Sequence, residues 1–153
     1  MHNPEIPYLL IPASPEQHFE FTAPVLSIGR EAFTSITLAD PSVSRRHCRF
    51  YRVGNTFWVQ DWYSTSGTLY KDARVTKIQG LLHGEGISQP VRVGEFDVHV
   101  QCPAKFVGDP AADLDEIEAW IETLDNDFPD YVHAFWAWST AMRDQLGAPN
   151  PTK

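Results

Sequence analysis

Cys48-Arg49-Phe50-Tyr51-Arg52-Val53-Gly54-Asn55-Thr56-Phe57-Trp58-Val59-Gln60-Asp61 decides the fold. Two short apolar runs flank Gly54-Asn55, a dipeptide that turns a chain back on itself, and the pattern is that of a β-hairpin. Working outward, similar runs recur with turn residues between them: Val25-Leu26-Ser27-Ile28 before Gly29, Ile36-Thr37-Leu38 before Asp40-Pro41, Thr68-Leu69-Tyr70, Arg92-Val93-Gly94, and the strictly alternating Phe96-Asp97-Val98-His99-Val100-Gln101. No helical periodicity interrupts them from Val25 to Gln101. Short strands with frequent turns predict a mainly β fold, a sandwich of antiparallel strands.

The flanks differ. Upstream, Pro4, Pro7, Pro12, Pro15 and Pro24 punctuate two apolar runs, Tyr8-Leu9-Leu10-Ile11 and Phe19-Glu20-Phe21, the second with strand-like alternation. Downstream, residues 104–112 look like a linker. Asp113 with Glu116 then forms a capping box, and Leu114, Ile117, Trp120, Ile121 and Leu124 follow at helical spacing. Asp125-Asn126-Asp127 is expected to end that helix. A second is expected from about Pro129, with an apolar face of Val132, Phe135, Trp136, Ser139, Met142 and Leu146, stopped by Gly147 and Pro149. The expected organisation is a β-sandwich over 1–106 and an acidic, aromatic-rich, α-helical extension over 107–153.

Charge follows the same division. Residues 1–106 hold ten acidic and ten basic side chains, whereas 107–153 hold ten acidic side chains against Arg143 and Lys153, so the extension carries the whole net charge of −8. A globally acidic chain argues against nucleic acid as the partner. No apolar run approaches the roughly 20 residues of a membrane span, and the start of the chain lacks signal-peptide character; no membrane partner and a cytoplasmic location are expected. Cys48 and Cys102 have no metal-ligand spacing and read as buried small hydrophobes, with a disulfide or a redox role as the alternative. The six histidines show no zinc spacing, and neither a G-x-S-x-G elbow nor a P-loop is present. No metal, no cofactor and no enzymatic activity are expected.

The residues that carry chemistry stand in a fixed order: Gly29-Arg30, Ser44-Arg45-Arg46-His47, Asp61, and Ser64-Thr65-Ser66-Gly67-Thr68. That order resembles the forkhead-associated (FHA) domain family, whose pattern is a Gly-Arg pair, a Ser-Arg-x-His block, and an Asp preceding a Ser-x-Asn-Gly-Thr turn. Leu82-His83-Gly84-Glu85-Gly86-Ile87 stands where the family has Leu-x-x-Gly-Asp-x-Ile, with a wordier segment up to Pro90 that reads as a longer loop. The resemblance covers residues 25 to about 102 and implies a phosphothreonine-dependent protein–protein interaction module.

Phosphothreonine carries nearly two negative charges and three acceptor oxygens, and it calls for charge-assisted donors on a preset surface. On the resemblance, Arg30, Ser44, Arg45, Thr65 and Ser66 contact the phosphopeptide, while Gly29, His47 and Gly67 support the loops. Arg30 offers a planar fork of donors, and Ser44 and Thr65 offer hydroxyls and N–H groups. The family usually has Asn at the position of Ser66, hydrogen-bonding the peptide backbone. Serine has fewer donors and a shorter reach, so the grip on peptide is expected to differ. Implied partners are a phosphothreonine-containing protein and, as a candidate, a Ser/Thr kinase; a homodimer stays open.

Tyr131, Phe135, Trp136 and Trp138 either pack the extension onto the sandwich or form a docking surface. The acidic pairs of the extension, such as Asp115-Glu116, read as a solvated helix face. A further expectation is self-regulation, with acidic helices lying against the basic mouth around Arg30, Arg45 and Arg46. Thr123 has acidic neighbours and is a candidate kinase target. The alternative to phosphopeptide binding is a phospho-independent scaffold that binds partners through the tail or a sandwich face.

Overall fold

The computed structural model describes residues 5–13, 15–124 and 129–147. Among these residues twelve strands and two helices follow in order. The first six strands are β1 (Tyr8–Ile11), β2 (Gln17–Glu20), β3 (Val25–Gly29), β4 (Ile36–Thr37), β5 (Cys48–Val53) and β6 (Thr56–Asp61). The next six are β7 (Thr68–Tyr70), β8 (Ala73–Arg74), β9 (Gln79–His83), β10 (Gly86–Ile87), β11 (Val91–Val93) and β12 (Phe96–Cys102). The helices are α1 (Pro110–Glu122) and α2 (Pro129–Leu146). The strands form two sheets. One runs β2-β1-β12-β11-β7-β8, with β10 also paired to β12; the other runs β4-β3-β5-β6-β9. All pairings are antiparallel except β3 with β4. The chain is a mainly β two-sheet sandwich followed by two helices.

Alternation along the central hairpin explains the layering. Successive side chains of a strand point to opposite faces. Cys48 and Phe50 of β5, with Phe57 and Val59 of β6, point into the core between the sheets, where they meet Leu9, Ile28 and Val98. The intervening Tyr51 and Val53 point the other way, into a second cluster with Leu114, Ile117 and Ile121 of α1 and Phe135 and Met142 of α2. Every residue of β5 is therefore buried. Tyr51 stacks on Trp138 with centroids 5.2 Å apart, and Trp58 meets Trp138 edge-on at 5.7 Å. Tyr131, Phe135, Trp136 and Trp138 thus serve the packing of the helices against β5 and β6.

Charged groups fix how the helices sit. The Asp113 carboxylate takes both ends of the Arg52 guanidinium, at 2.7 and 3.2 Å, and the Gly54 N–H at 2.9 Å. Arg143 of α2 lies buried between Glu118 and Asp115 of α1, at 2.8 and 2.6 Å, and Ser139 donates to Glu118. Such planar, charge-assisted pairs are the strong ones, and they specify geometry as well as energy.

Several sequence expectations are corrected here. The first helix begins at Pro110, inside the expected linker, and its N-cap is Asp109, whose side chain accepts from the Ala112 N–H at 3.2 Å. Asp113 and Glu116 form no capping box, because the Asp113 carboxylate is engaged by Arg52. The acidic face is only partly solvated, since Asp113 and Glu118 are buried. Leu146 is exposed rather than part of the packed face. The segment after Gly84 is not a plain loop, for Gly86–Ile87 pairs with Cys102 and Gln101 of β12. The expected helix break at Asp125-Asn126-Asp127 and the stop at Pro149 lie outside the described residues. Cys48 and Cys102 are buried free thiols. No described helix is long and apolar enough to cross a membrane.

Candidate functional site

β3 ends at Gly29, against the backbone that follows Ser44. The Arg30 N–H donates to the Ser44 carbonyl at 3.0 Å and the Glu31 N–H to the Arg45 carbonyl at 3.2 Å. A Cβ at Gly29 would lie 2.1 Å from the Arg45 carbonyl oxygen, so only glycine admits this approach. The crossing sets Arg30 beside the loop that carries Ser44 and Arg45.

His47 links that loop to the next one. It is fully buried. Its Nδ1 accepts from the Ser44 N–H at 3.1 Å, and its Nε2 lies 3.0 Å from the Gly67 carbonyl. The two contacts require one acceptor and one donor nitrogen, the neutral imidazole. Burial holds the His47 pKa below its ordinary value, which keeps that form, while the Gly67 carbonyl and the Asp61 charge pull weakly the other way. Gly67 has φ +86, and a Cβ there would lie 2.5 Å from Arg74 Nε.

Asp61, at the end of β6, organises the second loop. One carboxylate oxygen accepts from the hydroxyls of Ser64 and Thr68, the latter at 2.7 Å; the other accepts from the Ser64 N–H at 3.2 Å. The loop then offers the Thr65 N–H to Ser44 Oγ at 2.8 Å. Since the Ser44 oxygen is acceptor in that bond, its own hydroxyl hydrogen remains to be donated elsewhere. A third turn is pinned alongside. Ser42 Oγ donates to Asp40 at 2.7 Å and accepts from the Glu95 N–H at 3.0 Å. The Ser42 hydrogen bonds hold the Asp40 carboxyl below its usual range.

These loops enclose a cleft of about 770 Å³ at one end of the sandwich. Arg30, Ser44, Arg45, Thr65 and Ser66 all line it. Arg30 donates to the Val43 carbonyl at 3.2 Å, and neither Arg30 nor Arg45 has a carboxylate partner among the described residues. Both side chains are exposed. Two unpaired guanidinium groups, a hydroxyl and the next loop converge there, a donor set suited to an oxyanion carrying two charges. Gly29, His47 and Gly67 stand behind the lining rather than in it.

Sequence reasoning missed part of the wall. Trp62 and Tyr63 line the cleft, as do Ser42, Glu31 and Glu95. Arg46 lies between two rings, its guanidinium carbon 4.9 Å from the Phe33 centroid and 5.4 Å from that of Trp62. The signal for the aromatic wall was present: Trp62-Tyr63 falls between Asp61 and Ser64, inside the motif itself. One expectation is overturned. Among the described residues none of either helix lines the cleft; the helices lie on the outer face of β5 and β6, and three of their carboxylates, Asp113, Asp115 and Glu118, pair with Arg52 and Arg143.

Comparison with known proteins gives a consistent picture. Residues 26–88 match the family model described as FHA domain. No curated protein matches the chain. Among solved structures, one described as a structural and functional analysis of phosphothreonine-dependent FHA domain interactions is similar at 25% identity, covering 63% of this chain and 95% of that one, with a TM-score of 0.55. The FhaA FHA domain complexed with the intracellular domain of Rv3910 is similar at 25% identity, covering 62% of this chain and 99% of that one, TM-score 0.51. Mycobacterium tuberculosis EmbR, in complex with a low-affinity phosphopeptide, shares the fold at 22% identity and TM-score 0.56, over 65% of this chain and 25% of that one.

Proposed function

We propose, from the premise that this chain belongs to the FHA domain family, that it is a phosphothreonine-dependent adaptor acting in Ser/Thr-kinase signalling or in the regulated assembly of a complex. Domains of this family are generally phosphothreonine-binding interaction modules and are typically not catalytic. The observation that carries the reading for this chain is the cleft between Arg30 and Ser44. Two cations without carboxylate partners among the described residues share the cleft with a hydroxyl whose oxygen already accepts from the Thr65 N–H, so its hydrogen is free to be donated to a ligand.

In this reading Arg30 and Arg45 neutralise the phosphate, Ser44 and Thr65 add hydroxyl donors, and Ser66 meets the peptide backbone. Gly29, His47 and Gly67 hold the two loops beside one another. Charge-assisted hydrogen bonds are worth about 1.5–3 kcal/mol each, so phosphate recognition dominates and the peptide chain adds to it. The partner is a protein phosphorylated on threonine, with the kinase that phosphorylates it as a second candidate. Titration with a phosphothreonine peptide library beside its unphosphorylated twin tests this. Phosphorylated peptides alone should bind, and Arg30→Ala should abolish the difference. Equal binding of both sets would instead favour a phospho-independent scaffold, the reading that Ser66 in the place of Asn keeps in view.

A further inference from the structure

Four consecutive residues lead from β6 into the loop that faces the cleft, and each of them touches the helical pair. Gln60 donates its amide to the Tyr131 carbonyl at 3.1 Å. Asp61 accepts from the Tyr131 hydroxyl at 3.4 Å. Trp62 meets Trp120 of α1 edge-on, with centroids 6.0 Å apart, and Arg49 packs its guanidinium against both rings, 5.1 Å from Trp62 and 5.5 Å from Trp120. Tyr63 meets the Tyr131 ring at 5.5 Å in a T-shaped arrangement.

The front of the same loop is the cleft wall. Asp61 carries the Ser64 and Thr68 bonds that shape the loop, and Trp62 and Tyr63 line the cleft. Tyr63 has φ 60, a left-handed conformation that non-glycine residues rarely adopt and that persists where the surroundings hold it. Behind the loop the anchor is itself braced. Gln60 accepts from Arg49 Nε and Nη2 at 3.0 and 2.9 Å and from the Tyr51 hydroxyl at 2.7 Å, which leaves its amide nitrogen fixed in direction toward Tyr131. Burial and the neighbouring Asp61 carboxylate push the Tyr131 phenol up, so it stays a donor at neutral pH.

We propose that the C-terminal helices are part of the binding apparatus, with Tyr131 as the positioning residue that holds the loop from Trp62 to Gly67 against the cleft. This rests on the phosphothreonine reading above for its ligand, but not for its mechanics. It also gives the tail the opposite sign to a screen. A screening tail weakens binding and its removal strengthens it; a supporting tail strengthens binding and its removal weakens it.

The test uses the full chain with Tyr131→Phe, which removes only the hydroxyl, and Tyr131→Ala, which removes the ring as well; Leu146→Ala, exposed at the far end of α2, is the control. Each is titrated with one phosphothreonine peptide and its unphosphorylated twin, while amide hydrogen exchange is read at Ser64 and Thr65 and at core amides of β3 and β5. Tyr131→Ala is expected to weaken phosphopeptide binding about threefold to tenfold and to speed exchange at Ser64 and Thr65 with the β3 and β5 amides unchanged. Tyr131→Phe should give the same pattern at about twofold, and it carries the test if the alanine variant does not fold. Wild-type affinity, tighter affinity, or weaker binding without local loss of protection would each overturn the proposal. If the parent chain does not prefer the phosphorylated peptide, the phosphothreonine reading fails, and the exchange data still decide whether Tyr131 positions the loop.

Discussion

Three arginines at the mouth and three where the helices dock put one residue type to opposite uses. Arg30, Arg45 and Arg46 surround the cleft without a carboxylate partner among the described residues. Arg49, Arg52 and Arg143 are buried, Arg49 on Gln60 and the other two on Asp113, Glu118 and Asp115. A guanidinium taken out of water needs its donors satisfied, and each of the three meets side-chain acceptors, although Arg52 Nε is left without one. At the mouth Glu31 and Glu95 also line the cleft, but none of the three arginines there pairs with a carboxylate among the described residues, which leaves their donors open to a ligand. The acidic tail explains part of this contrast. Three of its carboxylates, Asp113, Asp115 and Glu118, pair with arginines where the helices dock.

Substitutions on the two sides should therefore separate stability from binding. The largest effect is expected at Asp113→Ala, which leaves Arg52 buried without its carboxylate. About 3–5 kcal/mol of stability should be lost, read by chemical denaturation. Arg30→Ala should do the reverse. Stability should stay within about 0.5 kcal/mol, as at an exposed site. Phosphothreonine-peptide affinity should fall by about 1.5–3 kcal/mol, roughly tenfold to a hundredfold, by calorimetry. If Arg30→Ala unfolds the chain or Asp113→Ala spares it, the contrast fails.

His47 sits between the two regimes, and pH reads it. Its folded pKa is lowered from an ordinary 6.5 because it is buried neutral. The unfolded chain therefore binds the proton first as pH falls, so this contribution is intact above about 6.5 and is lost as pH drops through the depressed folded value. Protonation also converts the nitrogen that accepts the Ser44 N–H into a donor. The stability of the ligand-free protein should decline below about pH 6.5, and His47→Gln should flatten that part of the profile; measuring without peptide avoids titration of the phosphate itself. The smallest effect is expected at Ser66→Asn. One regained hydrogen bond to the peptide is worth about 0.5–1.5 kcal/mol, or twofold to tenfold tighter binding, with stability unchanged.

What was legible in the sequence was local. The hairpin around Gly54-Asn55 and the ordered motif from Gly29 to Thr68 both rest on short-range turn chemistry, and the five expected lining residues do face one cleft. What was not legible depends on distant partners. Asp113 looks like an N-cap, but Arg52 claims its carboxylate from a strand sixty-one positions away. The better signal was Asp109 followed by Pro110, a cap and a first-turn proline. Arg49 and Tyr51 are buried by the helices laid over β5, which the strand pattern does not disclose. β8 and β10 have two residues each and carry no periodicity, and the only apolar run of β9 is Leu81-Leu82. The placement of the tail behind the loop, rather than over the mouth, follows from the outward face of β5 and β6, which is apolar where Tyr51, Val53 and Trp58 lie.

The central claim is that the cleft between Arg30 and Ser44 takes phosphothreonine. Isothermal titration of the chain with a library-selected phosphothreonine peptide, its unphosphorylated twin, and the same peptide against Arg30→Ala tests it most directly. The account predicts saturable binding of the first alone and a loss of roughly tenfold or more in the variant. Equal binding of the two peptides, or an Arg30→Ala variant that binds as the parent does, would contradict it.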